Sequence, residues 1–143
     1  VASTKRYRNF ANVSFNSTTF AGVKDVAFDR GIQQIRDSAD ADAYITHSVV
    51  GVQDPSFRVT TTEASALLAT AAGTRGVFTF TWLESYSQVA SASSGSLTFT
   101  TNSLTMLAAH SLQGAHQQLG TAQFTFATCS VDGTTNPVTV TTL

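Results

Sequence analysis

The pentapeptide FTFTW, residues 78–82, limits what this chain can fold into more than any other stretch. On a pleated strand successive side chains point to opposite faces, so Phe78, Phe80 and Trp82 fall on one side and Thr79 and Thr81 on the other. That pattern is a half-buried antiparallel strand. The same period of two recurs in VSFNSTTF, VKDVAFDR, YITHSVVGV, SFRVTTT, SLTFTTNSLTML, AQFTFATCS and PVTVTTL. The chain is therefore read as mainly β, an antiparallel β-sandwich or partly closed barrel. Phe78, Phe80, Trp82, Phe124 and Phe126 are its candidate core.

One segment reads differently. TTEASALLATAAGTRG offers Thr61 or Thr62 as an N-cap, Glu63 in the first turn and Gly73 as a stop, which predicts a helix over about 63–72. Ala64, Leu67, Leu68 and Ala71 share one face of it, and Leu67 and Leu68 are expected to pack on a sheet. LAAHSLQGAHQQLG is interrupted by Gly114 and Gly120 and is read as a connection. ASASSGS (residues 90–96) is expected to be a flexible tip or connection, and VDGTTNP a tight turn before a short last strand.

A chain of 143 residues is about one domain. Residues 1–11 are read as an N-terminal arm and 12–143 as a single β-sandwich domain. Charged residues make up only 12%, with a net charge of -1, and 16 Ser and 23 Thr supply the polarity instead. The eight Lys and Arg are Lys5, Arg6, Arg8, Lys24, Arg30, Arg36, Arg58 and Arg75. Their scatter argues against a basic groove for nucleic acid. No apolar run is long enough to span a membrane as a helix. The start VASTKRYRNF lacks the apolar middle of a secretory signal, so synthesis in the cytoplasm is expected.

Candidate chemistry is sparse. Asp37, Asp40 and Asp42 cluster in RDSADAD, but a calcium loop would need more oxygen ligands and a turn glycine, so the cluster reads as an acidic hairpin tip. His47 lies in a strand, and His110 and His116 do not match zinc spacing. Cys129, in strand-like FTFATCS, reads as a small core or half-buried side chain. No G-x-S-x-G elbow is present, and GTRG leads from helix to strand, opposite to a phosphate loop. Neither catalytic residues nor a metal or cofactor is expected. A sheet protein with few charged gatekeepers leaves edges that invite pairing with copies of itself.

The order TFAGVKDVAFDRG, DSADAD, YITHSVVGVQDPSFRVTTTEASALLATAAGTRGVFTFTW and AQFTFATCSVDGTTNPVTV resembles the tail tube (major tail) proteins of tailed bacteriophages from about residue 12 to 143. The motifs are G-V-K-x-V, a short helix ended by G-x-x-G before an apolar strand, and S-x-D-G-x-x-x-P. The resemblance implies stacked, hexameric rings forming a tube through which viral DNA passes without specific binding. It further implies partners among copies of itself and other tail proteins (terminator, tape measure, baseplate or tip), and a place in the virion tail after assembly in the host cytoplasm. A loop between early strands reaches an adjacent ring in that family; here it corresponds to about Gln33 to Ala43, with Arg36, Asp37, Asp40 and Asp42. The alternatives are a virion decoration or head-to-tail connector protein, and a carbohydrate-binding sandwich using Trp82, Tyr44 and Tyr86.

Overall fold

The computed structural model describes residues 9–62, 70–83 and 97–142. Among them, β1 (Asn9–Phe15), β2 (Thr18–Thr19), β3 (Val23–Asp29), β4 (Ile32–Asp37), β5 (His47–Gln53), β6 (Ser56–Thr61), β7 (Phe78–Leu83), β8 (Leu97–Thr101), β9 (Met106–Gln113), β10 (Thr121–Ala127) and β11 (Val138–Thr142) follow one another, and there is no helix. Sheet A has the order β11-β8-β7-β1-β2 and sheet B the order β3-β6-β10-β9; β4 and β5 form a ribbon of their own. Every pairing is antiparallel. The two larger sheets pack as an open sandwich, not a closed barrel.

Phenylalanine makes the core. All ten phenylalanines of the chain belong to one cluster, eight of them buried and Phe10 and Phe28 partly so. Phe57 and Phe126 of sheet B meet Phe78 of sheet A with ring centroids 4.9 and 4.7 Å apart, and Phe80 stacks on Phe99 at 4.8 Å. Such pairs contribute about 0.5–1.5 kcal/mol each beyond area burial. Phe78, Phe80, Phe124 and Phe126 all lie here.

Trp82 does not: 40% of it is exposed. It occupies the last rung of the β7–β8 ladder, opposite Leu97, and the burial alternation of β7 breaks there: the next residue, Leu83, is buried in its place. Cys129 is likewise exposed, because β10 ends at Ala127 and the alternation stops two residues earlier than FTFATCS suggests.

Residues 63–69 of the expected helix, Leu67 and Leu68 among them, lie outside the described residues, as do Tyr86 and the stretch 90–96. Its last positions, 70–72, are bend and turn. The amide of Gly73 donates to Leu107 O at 2.8 Å and that of Leu107 to Thr74 O at 2.9 Å, so the chain there is already held alongside the start of β9. LAAHSLQGAHQQLG is a connection only in its second half: β9 runs to Gln113, paired with β10 up to Thr121, and Gly114 and Gly120 bound the turn between them. SLTFTTNSLTML is two strands, broken where the Asn102 side chain accepts the Leu104 amide at 3.1 Å. VSFNSTTF is a hairpin, turned by Asn16 and Ser17 with φ of 49° and 67°.

Candidate functional site

The β3–β6 hairpin does not stop at the edge of the sandwich. Its last body pair is Asp29 with Ser56; after a two-residue break on each strand, pairing resumes at Ile32 with Gln53 and runs to Asp37 with His47. The result is an arm, β4–β5, growing out of sheet B.

Its root is tied down. The Gly31 amide donates to Asp29 Oδ1 at 2.9 Å, the Asp54 amide to Gly31 O at 3.2 Å, and the Thr128 hydroxyl to Pro55 O at 2.7 Å. Arg30 lies over the Phe28 ring, 5.4 Å from its centroid. Gly31 has a φ of 58°, and a Cβ there would run into the Asp54 carbonyl oxygen, so only glycine fits the elbow.

Beside the root, a cleft of about 310 Å³ separates Gly51–Gln53 and Pro55 from the loop 130–137. That loop holds itself together. Asp132 Oδ1 accepts the amides of Thr135 (2.7 Å) and Thr134 (2.9 Å), and Oδ2 the Thr135 hydroxyl (2.8 Å). The Thr135 amide foremost, with that of Thr134, holds the carboxyl well below its ordinary value of 3.8, since each donor favours the charged form.

The arm's tip contains the predicted acidic residues, and the structure gives them different tasks. Asp42 Oδ2 accepts the Ala39 amide at 3.0 Å and the Thr46 hydroxyl at 3.4 Å, while Asp37 Oδ1 accepts the Ser38 amide at 2.8 Å. Both build the turn, in which Ala41 has a φ of 71°. Arg36 lies opposite Ser48 in the ribbon, and Asp40 heads the turn. No three His, Cys, Asp or Glu side chains converge on a metal site among the described residues.

The arm also carries an apolar surface that the acidic pattern of its tip does not announce. Ile35 pairs with Val49 on one face, with Ile35 reaching over Gly51, and Val50 and Val52 occupy the other, 57% and 80% exposed. Neither face is covered by the other described residues. The signal was the adjacent pair Val49-Val50: two neighbouring apolar residues in a strand put one on each face. An isolated two-stranded ribbon is marginal in water, so an arm with both apolar faces bare is suited to being covered by a partner.

The outer face of sheet A has the opposite character. Thr139, Thr100, Thr79, Ser14 and Thr19 form one row across its five strands, and Thr141, Thr98, Thr81 and Ala11 a second. Thr79 and Thr100 hydroxyls lie 3.3 Å apart, as do those of Thr81 and Thr98. No charged residue stands in either row. The outer face of sheet B carries Asp25, Arg58 and Asp29. No helix of the described residues is long and apolar enough to cross a membrane.

No protein-family model matches the chain, and no curated protein does. The chain is similar to a solved structure described as the tail of an empty GTA particle, computed with helical refinement and C6 symmetry. Identity is 9%, the match covers 87% of this chain and 84% of that one, and the TM-score is 0.47.

Proposed function

We propose that this chain is a structural protein of a virion tail, self-assembling as stacked hexameric rings into the tube through which viral DNA passes. The arm carries the self-assembly half of this reading. A ribbon that leaves the sandwich with both apolar faces bare fits an inter-subunit role for residues around Arg36, Asp37, Asp40 and Asp42. The tail half is supported by the order of segments that resembles tail tube proteins. Copies of the same chain are the first partners, and other tail proteins cap or fill the tube.

A conduit must not hold its cargo, because each Lys or Arg paired with a phosphate adds sequence-independent affinity. Two of the five cations among the described residues are engaged within the chain, Arg30 over Phe28 and Arg75 in a 2.7 Å bond to Leu104 O. The threonine face offers only neutral hydroxyls, and on this reading it is the wall suited to moving DNA. A decoration or connector role would use the same arm; comparing tail and capsid fractions of particles separates them.

Electron microscopy of the purified protein at rising concentration tests the proposal, with rings or tubes expected. A monomer at every concentration, even when seeded with tail components, would overturn it. The exposure of Trp82 favours one second reading, a carbohydrate-binding sandwich. Trp82 and the exposed Tyr44 nevertheless lie in different parts of the fold, one in sheet A and one in the loop between β4 and β5. A glycan array without saturable binding removes that reading.

A further inference from the structure

Sheet B has unlike ends. The arm leaves from the end where Asp29 pairs with Ser56; at the other, beyond the pairing of Ala122 with Leu112, the β9–β10 hairpin runs out into solvent. Its turn passes through Gln117 with a φ of 61°, and it exposes Leu112 and Leu119, the latter by 81%. Between Ala108 and Gly120 there is no Asp, Glu, Lys or Arg, and the titratable groups are His110 and His116.

We infer that the arm of one copy seats on the β9–β10 hairpin end of the next copy, so that sheet B repeats head to tail. This deepens the self-assembly reading above and rests on it. Reach permits the contact: from Ile32 to Asp37 the paired ribbon extends about 17 Å at 3.3 Å per residue, close to the roughly 20 Å of a seven-residue body strand. Chemistry selects the surface. Val50 and Val52 need an apolar counterpart, which the hydroxyl rows of sheet A lack and which Leu112 and Leu119 provide. The tip brings Asp37, Asp40 and Asp42 against one Arg36, and the hairpin end presents no carboxylate to repel them. Docking arm to arm with tip against tip would instead set three aspartates against three, a like-charge arrangement that disfavours that symmetric alternative. A contact between unlike ends does not close on a pair; it propagates into a ring or filament.

Paired cysteines test the assignment. In a Cys129→Ser background, Val50→Cys combined with Leu119→Cys is assembled, mildly oxidised and run on a non-reducing denaturing gel. A ladder of trimers and longer species is expected. Assemblies that form without a ladder, or dimers from Val50→Cys alone, would overturn the inference while leaving self-assembly intact. A wild-type chain that never leaves the monomer would instead remove the self-assembly reading itself. Charge offers a second readout at a position whose exposure spares the fold: Leu119→Glu should raise the concentration needed for assembly about tenfold above that of Leu119→Lys, because it faces an acidic tip. Equal values, with unchanged melting of both monomers, would also overturn it.

Discussion

The sandwich body and the β4–β5 arm are continuous in the same hairpin, yet they use apolar side chains in opposite ways. In the body, Phe57 and Val59 of β6 alternate with Arg58 and Thr60, and the apolar members are fully buried. In the arm, Ile35, Val49, Val50 and Val52 are all exposed. The change takes place within two residues on each strand, at Gly31 and Asp54. The apolar side chains of β6 are consumed by the chain's own fold, whereas those of the arm stay exposed. On the proposed reading stability and association fall to different segments, and substitutions should separate them.

The largest effect is expected in the body. Phe126→Ala removes a ring that contacts Phe15 at 4.7 Å, Phe20 at 6.1 Å and Phe78 at 4.7 Å, and should cost about 3–5 kcal/mol in denaturant unfolding. A cost near 1 kcal/mol would mean that the two sheets repack without it. At the boundary, Gly31→Ala should cost about 1–3 kcal/mol, the scale of a strained backbone site. Hydrogen exchange should show the loss mainly in residues 32–53; equal loss across the body would erase the distinction between the regions.

Asp132 should give a smaller and pH-dependent effect. Its carboxyl is held below its ordinary value in the folded chain, so its contribution is present above about pH 4 and is lost as pH falls further. Asp132→Asn should therefore lower the melting temperature at pH 7, and the gap from wild type should narrow below pH 4. A gap independent of pH would assign the effect to lost hydrogen-bond geometry instead. Smallest for stability of the body is the triple change of Asp37, Asp40 and Asp42 to Ala, which loosens the turn at the arm's tip and is expected to leave unfolding of the sandwich within about 0.5 kcal/mol. Assembly rate or tube length should nevertheless change; unaltered assembly would detach these residues from the interface.

The body was legible in the sequence because period two is a property of the strand itself. Phe78, Phe80, Phe124 and Phe126 needed no tertiary information to be set on one face. Trp82 and Cys129 depart from the period because it does not say where alternation breaks, as between Trp82 and Leu83, or where a strand ends, as at Ala127. The glycines around His110 and His116 obscured β9, whose extent is set by its partner β10. The acidic tip was recognised as a hairpin tip, but the turn-building roles of Asp37 and Asp42 depend on a backbone fold that spacing alone does not specify. The arm's apolar surface is not legible in the sequence, because a strand with adjacent valines reads the same whether its two faces are buried or bare.

Gly31 also bears on shape beyond a single chain. Its close approach to Asp54 makes the elbow a set angle with no room for a side chain. In a head-to-tail repeat of identical copies, one such angle recurs at every junction, where a small rotation accumulates into the rise and twist of the whole array. The long-range pitch of that array would then be encoded at a position where no side chain exists to be seen.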